Sequence, residues 1–288
     1  MILILGCGPM GTAIHEALKD REVSWACDKG HPSPASGCAG YDVKNNADVA
    51  RVVRQFKPES LILTEEVSSV EYCEKNRLDA MEFNTRGARF FVEASAQLRA
   101  RIIYLSSAYV FDGRKPGGLY TEYDHVNPIN VYGETKLMGE VAVDKAADHV
   151  TVRMGDVYGN YPDNFVSFVV SSLGYGQKIE LARDMYFSPI HIEDAARAVR
   201  LMTLESMSGT YNLAGPERIS HYEMGLRIAR IFGLNEDLLV PLSMEEMGLT
   251  VRMPRDLSLD ISKVAAMMKI RGIDEGLEAM KSSMAPAK

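Results

Sequence analysis

Three side chains in the middle of the 288-residue sequence have the types and spacing needed to move a proton and a hydride together. Ser107 follows a short apolar run that predicts a buried strand. Tyr132 and Lys136 lie four residues apart in a segment of helix-forming composition, so both side chains project from one helical face. We expect Ser107 to hold the reacting oxygen of a substrate and Tyr132 to exchange its proton. Lys136 would lower the pKa of the phenol, which is about 10 in water.

A glycine-rich motif at the N-terminus predicts a nucleotide-binding site beside these three residues. The segment Gly6-Cys7-Gly8-Pro9-Met10-Gly11 matches G-x-G-x-x-G and lies between a predicted strand and a predicted helix. Gly6 allows the tight turn, Gly8 lets a pyrophosphate approach the backbone and Gly11 lets the helix pack on the strand. The Tyr-x-x-x-Lys spacing alone is also typical of a chance pair on a solvated helix. The glycine motif, with Met10 inside it, favours a dinucleotide site contacted by Tyr132 and Lys136.

An acidic residue at the end of the second predicted strand bears on the choice of dinucleotide. Asp28 follows Gly11 by 17 residues, close to the spacing of about 20 at which a carboxylate accepts hydrogen bonds from the ribose of NAD. This spacing favours NAD, while the adjacent Lys29 leaves NADP open. The alternative is that Asp28 is a plain turn residue.

Other polar residues follow predicted strands on the ligand side of such a sheet. Asp42 could approach the adenine, and Thr64 could contact the cofactor. Glu65 and Glu66 are unexpected beside a dinucleotide. They could bind a ribose hydroxyl or a cationic group, or face water.

The alternation of strands and helices to about residue 154 predicts an α/β fold, with a Rossmann-type doubly wound parallel sheet. We expect a dinucleotide-binding domain over residues 1–160, to which residues 185–215 return. Residues 161–184 and 216–288 would form a smaller substrate-binding subdomain. Within this order, a Pro-, Ser- and Gly-rich stretch from His31 to Gly40 predicts a loop, and the stretch from Leu78 to Leu98 predicts one long helix.

Composition excludes several classes of protein. The net charge of −7 argues against a nucleic-acid partner, and no apolar run approaches the roughly 20 residues that span a bilayer. The first residues enter the glycine motif at once, which indicates a strand rather than a signal peptide. We expect a cytoplasmic protein whose four cysteines are unpaired thiols, with no metal site.

With these residues in view, the chain resembles an extended short-chain dehydrogenase/reductase, and most the dTDP-4-dehydrorhamnose reductase (RmlD-like) branch of the NAD-dependent epimerase/dehydratase family. The segments that carry the resemblance are YLSSAYVFDG, NPINVYGETKLMGE, RMGDVYG, DNFVSFV and PRDLSLDISK. Ala108 and Asp156 stand where that branch usually has Asp and Trp, and Thr64-Glu65-Glu66 replaces a small apolar run. The catalytic core is therefore kept, and the substrate wall is altered.

The resemblance implies a function and site residues. It implies reduction of a keto group, with Ser107, Tyr132 and Lys136 catalytic, and with Tyr109, Asp156 and Asn164 near a substrate such as a sugar nucleotide. It also implies a homodimer. A sugar-nucleotide epimerase is one alternative, and a non-catalytic dinucleotide-binding regulatory subunit is another. A dehydratase is disfavoured because Ala108 and Tyr109 occupy the place of its acid/base pair.

Overall fold

The computed structural model describes residues 1–30, 38–205 and 207–284. The chain forms two compact units, which we describe separately. The first comprises Met1–Val110, Val126–Arg153 and Ala196–Tyr211, and the second comprises Phe111–His125, Met154–Ala195 and Asn212–Lys288. The domain bounds inferred from the sequence stay a prediction.

The strands of the described residues are short and mostly apolar. They are β1 Ile2–Leu5, β2 Val23–Asp28, β3 Ala39–Tyr41, β4 Ser60–Leu63, β5 Arg101–Ser107, β6 His149–Met154, β7 Val157–Tyr158, β8 Ile179–Ala182, β9 Tyr186–Phe187, β10 Ile190–His191, β11 Gly209–Leu213, β12 Ile219–Ser220 and β13 Leu239–Leu242.

Helices connect these strands along the chain. They are α1 Pro9–Ala17, α2 Asn46–Phe56, α3 Val70–Lys75, α4 Arg77–Ala80, α5 Gly87–Ala96, α6 Val131–Val143, α7 Phe165–Gly174, α8 Ile192–Leu204, α9 His221–Phe232, α10 Ser262–Ala265 and α11 Ile273–Met284. A π-helical turn, Met81–Arg86, joins α4 to α5, and 3₁₀ turns occur at Ala108–Val110 and Glu236–Leu238.

Seven strands form one parallel sheet in the order β11-β6-β5-β4-β1-β2-β3, which confirms the predicted Rossmann-type fold. β1 lies between β2 and β4 and is parallel to both. All residues of β1 and β4 are buried, as expected for central parallel strands covered on both faces. The chain order reverses between β1 and β4, and ligands of open α/β sheets bind at this switch point. The glycine turn and Thr64 therefore lie where a dinucleotide site is expected.

The second unit has its own apolar core. Side chains from α7, α9 and α11 pack with the short strands β8, β9, β12 and β13. Helix α9 begins at a capping box, in which the Ser220 hydroxyl accepts the Glu223 N–H and the Glu223 carboxylate accepts the Ser220 N–H. It ends at Gly233, whose φ of 71° is left-handed.

Three expectations about local structure need correction. The predicted helix from Leu78 to Leu98 is interrupted by the π-helical turn Met81–Arg86. Most of the predicted loop, residues 31–37, lies outside the described residues, and its last two residues belong to β3. Cys27 and Cys38 are joined in a disulfide, so the expectation that all four cysteines are unpaired is wrong.

None of the described helices combines the length and the hydropathy needed to cross a membrane.

Candidate active site

The turn after β1 has the shape of a pyrophosphate cradle. Gly6 has φ of 109°, a conformation open to glycine, and a Cβ added there would meet Thr64 Oγ1 at 2.5 Å. A Cβ added to Gly8 would meet nothing within 4 Å, so the backbone is open to a ligand on that side. Gly8 is also the N-cap of α1 and brings no capping side chain, and Pro9 opens the helix. Met10 and Gly11 follow in the first turn, so this helix N-terminus fits an anion.

Asp28 closes β2 at the carboxyl edge of the sheet. It is buried, and its Oδ1 and Oδ2 accept hydrogen bonds from the Val43 and Gly30 amides at 2.9 and 2.8 Å. These two bonds organise the turn after β2. The structure thus gives Asp28 a turn role without excluding the cofactor role.

The loop after β4 brings a second carboxylate to the same edge. Glu65 accepts hydrogen bonds from the Asp28 N–H at 2.9 Å and from the Tyr41 hydroxyl. Burial, followed by the charge of Glu65, raises the pKa of Tyr41 well above its ordinary value. Lys29, the nearby cation of the sequence, pairs with Asp48 at 2.9 Å. This edge is therefore acidic, which disfavours an additional phosphate.

The predicted trio comes together at the carboxyl end of β5. Ser107 is the last residue of β5, and its hydroxyl accepts a hydrogen bond from the Tyr109 N–H at 3.3 Å. Tyr132 and Lys136 lie on one face of α6 and are buried, with 5% and 2% of their surface exposed. The Lys136 ammonium donates to the Leu105 carbonyl at 2.7 Å and lies 4.8 Å from the Tyr104 ring centroid.

Glu66 joins this trio. Its Oε2 lies 2.6 Å from Lys136 Nζ and accepts a hydrogen bond from the Tyr132 hydroxyl at 3.2 Å. The carboxylate is 30% exposed, so it contacts both the buried lysine and solvent. Glu66 was unexpected from the sequence. Its contact with Tyr132 and Lys136 could not be predicted there, because these partners lie 66 and 70 residues further along the chain.

The contact sets the protonation of the trio. Burial first, and then the negative charge of Glu66, raise the pKa of Tyr132 well above its ordinary value, while the nearby Ser107 hydroxyl lowers it in part. Burial opposes the charge of Lys136, but Glu66 and Tyr104 hold its pKa above the ordinary value. The pKa of Tyr132 is thus raised overall, whereas the sequence predicted a lowered value, and the Lys136 ammonium is paired with Glu66. The phenol therefore keeps its proton at neutral pH.

A buried polar cluster supports the strand that carries Ser107. Glu140 accepts hydrogen bonds from the Ser106 hydroxyl at 2.5 Å and from Arg153 Nε and Nη2 at 3.0 and 2.8 Å. Glu140 and Arg153 are 8% and 7% exposed. This pair ties β5, α6 and β6 together directly behind Ser107.

The π-helical turn supports the loop that carries Glu66. Asn84 lies in this turn, accepts the Val67 N–H at 2.8 Å and donates to the Val67 carbonyl at 3.1 Å. It also donates to Thr135 on α6 at 2.9 Å. π-helical turns occur frequently at functional sites. Sequence reasoning did not identify Asn84 as a positioning residue.

The remaining predicted residues of the first unit lie at varied distances from the trio. The Tyr109 ring packs edge-on against Tyr132, with centroids 5.3 Å apart. Thr64 Oγ1 donates to the Leu5 carbonyl at 2.9 Å, so it ties the glycine turn to β4. Asp42 is exposed and accepts the Lys44 N–H at 2.9 Å.

Asp156 and Asn164 belong to the second unit. Burial raises the pKa of Asp156 to about 6. Asn164 caps α7: its Oδ1 accepts the Ser167 N–H at 3.1 Å, and its Nδ2 donates to the Gly159 carbonyl at 3.1 Å. The described contacts thus give Asn164 a structural role, and the substrate roles of both residues stay predictions.

A parallel sheet of this order, a glycine turn at its switch point and a buried Ser–Tyr–Lys cluster define the class of short-chain dehydrogenases/reductases. The family model of the RmlD substrate binding domain matches residues 1–285 of this chain. The chain therefore belongs to the RmlD substrate binding domain family, and the resemblance seen in the sequence is confirmed.

Proteins similar in sequence to this chain include a reductase and a subunit of a different enzyme. A dTDP-4-dehydrorhamnose reductase of Sinorhizobium fredii is 30% identical over 187 residues, which cover 62% of this chain and 63% of the relative, less than two thirds of its length. The methionine adenosyltransferase 2 subunit beta of Xenopus laevis is 29% identical over 280 residues, or 92% of this chain and 81% of that subunit.

A solved structure agrees with the fold. The dTDP-4-dehydrorhamnose reductase of Bacillus anthracis, determined in complex with NADP, superposes with a TM-score of 0.89 and 26% identity. The match covers 98% of this chain and 99% of that one.

Proposed function

We propose that this protein is an NAD(P)-dependent reductase that converts a keto group, carried by a nucleotide-activated sugar, to an alcohol. The observation that carries the proposal is the buried Tyr132, which shares one face of α6 with buried Lys136 and lies beside Ser107 at the end of β5. A neutral phenol is a general acid, which is the form that reduction of a carbonyl requires. The names of the reductase relatives support the same reaction.

The roles of the residues follow from this chemistry. The bound dinucleotide would supply the hydride. The amides of the glycine turn would hold its pyrophosphate, Asp28 its adenosine ribose and Lys136 its second ribose, with Met10, Asp42 and Thr64 as further contacts. Ser107 would hold the substrate oxygen, and Tyr132 would donate the proton to it.

The choice between the two dinucleotides follows from charge. The acidic edge formed by Asp28 and Glu65, with Lys29 paired to Asp48, favours NAD over NADP. The Bacillus relative was determined with NADP, so both cofactors belong in the test. A sugar nucleotide as partner, a homodimer and a cytoplasmic location stay predictions, as do substrate contacts by Tyr109, Asp156 and Asn164.

The direct test is turnover of the purified chain. Sugar nucleotides with a keto group on the sugar would be mixed with NADH or NADPH, and oxidation of the cofactor would be followed by absorbance. Stoichiometric consumption of reduced cofactor with one keto-sugar supports the proposal. Interconversion of two sugars without net consumption of cofactor would instead indicate the epimerase alternative.

A second function has an observation in its favour. Glu66 binds both Tyr132 and Lys136, the two side chains that a reductase would offer to cofactor and substrate. The Xenopus relative, a methionine adenosyltransferase subunit, matches more of this chain than the Sinorhizobium reductase does. A dinucleotide-binding regulatory subunit is therefore the second candidate. Capture of a stoichiometric enzyme partner from the native host, with no turnover of any keto-sugar, would favour it.

Replacement of Glu66 tests its contact with Tyr132 and Lys136. We expect Glu66→Gln to lower the pKa of Tyr132, because the neutral amide no longer opposes the phenolate charge. Reduction needs the protonated phenol, so its rate is full below the pKa of Tyr132 and falls as pH rises through it. The alkaline fall of kcat should therefore occur at lower pH in the variant, as measured by a pH profile of kcat.

The same variant should bind the dinucleotide more tightly, since Lys136 no longer has a charged partner within the protein. Isothermal calorimetry would measure this change. Glu134→Gln is the matched control, because Glu134 lies on α6 but is exposed and pairs with Arg77. An unchanged pH profile together with unchanged affinity in Glu66→Gln would contradict the role given to Glu66.

A further inference from the structure

Three of the four cysteines converge beside the glycine turn, although they lie far apart in the sequence. Cys7 is part of the turn after β1, Cys27 precedes the last residue of β2, and Cys38 precedes β3. Cys7 and Cys27 are buried, and Cys38 is half-buried. Three neighbouring segments of the first unit thus each present one sulfur to a common point.

The sulfurs are close enough to share one ligand. Cys7 Sγ lies 3.0 Å from Cys27 Sγ and 3.0 Å from Cys38 Sγ, and all three sulfurs are within 4.8 Å of one another. A cation that bonds thiolates at about 2.3 Å in a tetrahedral arrangement holds them about 3.8 Å apart. Small rotations of the side chains reach that separation once the Cys27–Cys38 bond is reduced.

The number of sulfurs points to a cation rather than to a disulfide alone. A disulfide uses two cysteines and gives no reason for a third in contact with both. Thiolates are ligands that Zn²⁺ prefers, and zinc sites with three protein ligands leave a fourth position to water. Within the described ranges, no His, Asp or Glu ligand atom belongs to the cluster, so the donor set is soft.

The net charge of the site favours a divalent over a monovalent cation. Three thiolates with a divalent cation carry a net charge of −1, whereas a monovalent cation such as Cu⁺ would leave −2. Asp28 follows Cys27 directly, and Glu65 accepts the Asp28 N–H. A divalent cation therefore suits this acidic edge better than a monovalent one.

We propose that the reduced protein binds one thiophilic divalent cation, with Zn²⁺ as its type, through Cys7, Cys27 and Cys38. Reduction of the Cys27–Cys38 bond takes two electrons and two protons, which a phosphine reductant and water supply. Binding then releases three protons as three thiols become thiolates, and water takes the fourth position from the side of half-buried Cys38. The cation would fix the glycine turn against β2 and β3.

The test uses the full chain, reduced with a phosphine and stripped with a chelator under anaerobic conditions. We expect competition with a chromophoric chelator to give one Zn²⁺ per chain, and Co²⁺ to give a thiolate-to-metal charge-transfer band. Loss of a group that merely orients a ligand costs about 10- to 100-fold in metal affinity, so loss of a ligand should cost at least about 100-fold. Serine in place of Cys7, Cys27 or Cys38 should have this effect.

Cys73→Ser is the matched control and should leave Zn²⁺ affinity unchanged. Cys73 is buried in α3, and burial raises the pKa of its thiol to about 11, so it stays protonated. If a cluster variant fails to fold, alkylation of the wild-type protein with and without Zn²⁺ tests the same three ligands. Zn²⁺ should protect Cys7, Cys27 and Cys38 from alkylation.

Two results would overturn the proposal. One is a reduced wild-type chain that binds no stoichiometric Zn²⁺ and forms only the Cys27–Cys38 bond on oxidation, which would make the cluster a disulfide site alone. The other is Zn²⁺ binding that leaves Cys7 open to alkylation, which would place the cation elsewhere.

Discussion

Tyr132→Phe is expected to lower kcat for keto reduction by about 100- to 10,000-fold, the range that a positioned general acid contributes. The ring is kept, so packing against Tyr109 is retained and only the proton donor is lost. Dinucleotide affinity should change little, because the glycine turn and Asp28 are untouched. Steady-state kinetics with the keto-sugar and calorimetry with the cofactor measure the two effects.

Tyr104→Phe provides the comparison for this experiment. Tyr104 is also a buried tyrosine whose ring lies beside the same lysine, and among the contacts of the described residues its hydroxyl donates to the Lys136 carbonyl at 3.4 Å rather than to Ser107 or Glu66. Its loss should leave kcat close to that of the wild type. Equal rates for Tyr132→Phe and the wild-type protein would mean that another group donates the proton.

Glu140→Ala is expected to destabilise the fold by about 3–5 kcal/mol, because it removes one partner of a buried ion pair. Arg153 would keep its charge in a site where the Glu140 carboxylate now accepts two of its N–H groups. The Ser106 hydroxyl would lose the same acceptor. Urea unfolding should show the loss as a lower midpoint, and Ser107, the next residue, should lose alignment, so kcat should also fall.

Glu134→Ala serves as the comparison on the same helix. Its carboxylate pairs with Arg77 at 2.6 Å, but both side chains are exposed, at 39% and 53%. Exposed pairs contribute about 0–1 kcal/mol. A midpoint for Glu140→Ala as high as that for Glu134→Ala would show that the buried pair adds nothing beyond a surface pair.

The parts of the fold that could be predicted are those set by local sequence. Examples are the apolar runs of β1 and β4, the glycine turn between β1 and α1, and the capping box of α9. Within each of these features, the residues that form it lie only a few positions apart. Helix α6 was predictable for the same reason, since Tyr132 and Lys136 are one turn apart. Short-range spacing therefore predicted the elements of the Rossmann-type fold and the shared helical face of Tyr132 and Lys136.

The parts that could not be predicted depend on contacts between distant segments. The π-helical turn interrupts a run with good helical pattern, and within it Asn84 binds Val67 and Thr135, which lie 17 and 51 residues away. The partners of Glu66 on α6 and the meeting of the cysteines have separations of the same order. No local pattern records such contacts, so the pKa of Tyr132 could not be read from the sequence.

The way Glu66 is anchored has a consequence for how fast a cofactor can enter. On one side, Glu65 is bonded to Asp28 and Tyr41, and on the other, Val67 is held through both backbone groups by Asn84. The backbone at Glu66 is thus fixed, and the carboxylate can leave Lys136 by rotation of its own side chain. The carboxylate is partly exposed, and rotation of one side chain is a smaller motion than that of a loop, which takes nanoseconds to microseconds. We therefore expect diffusion of the dinucleotide, rather than opening of the protein, to limit its rate of association.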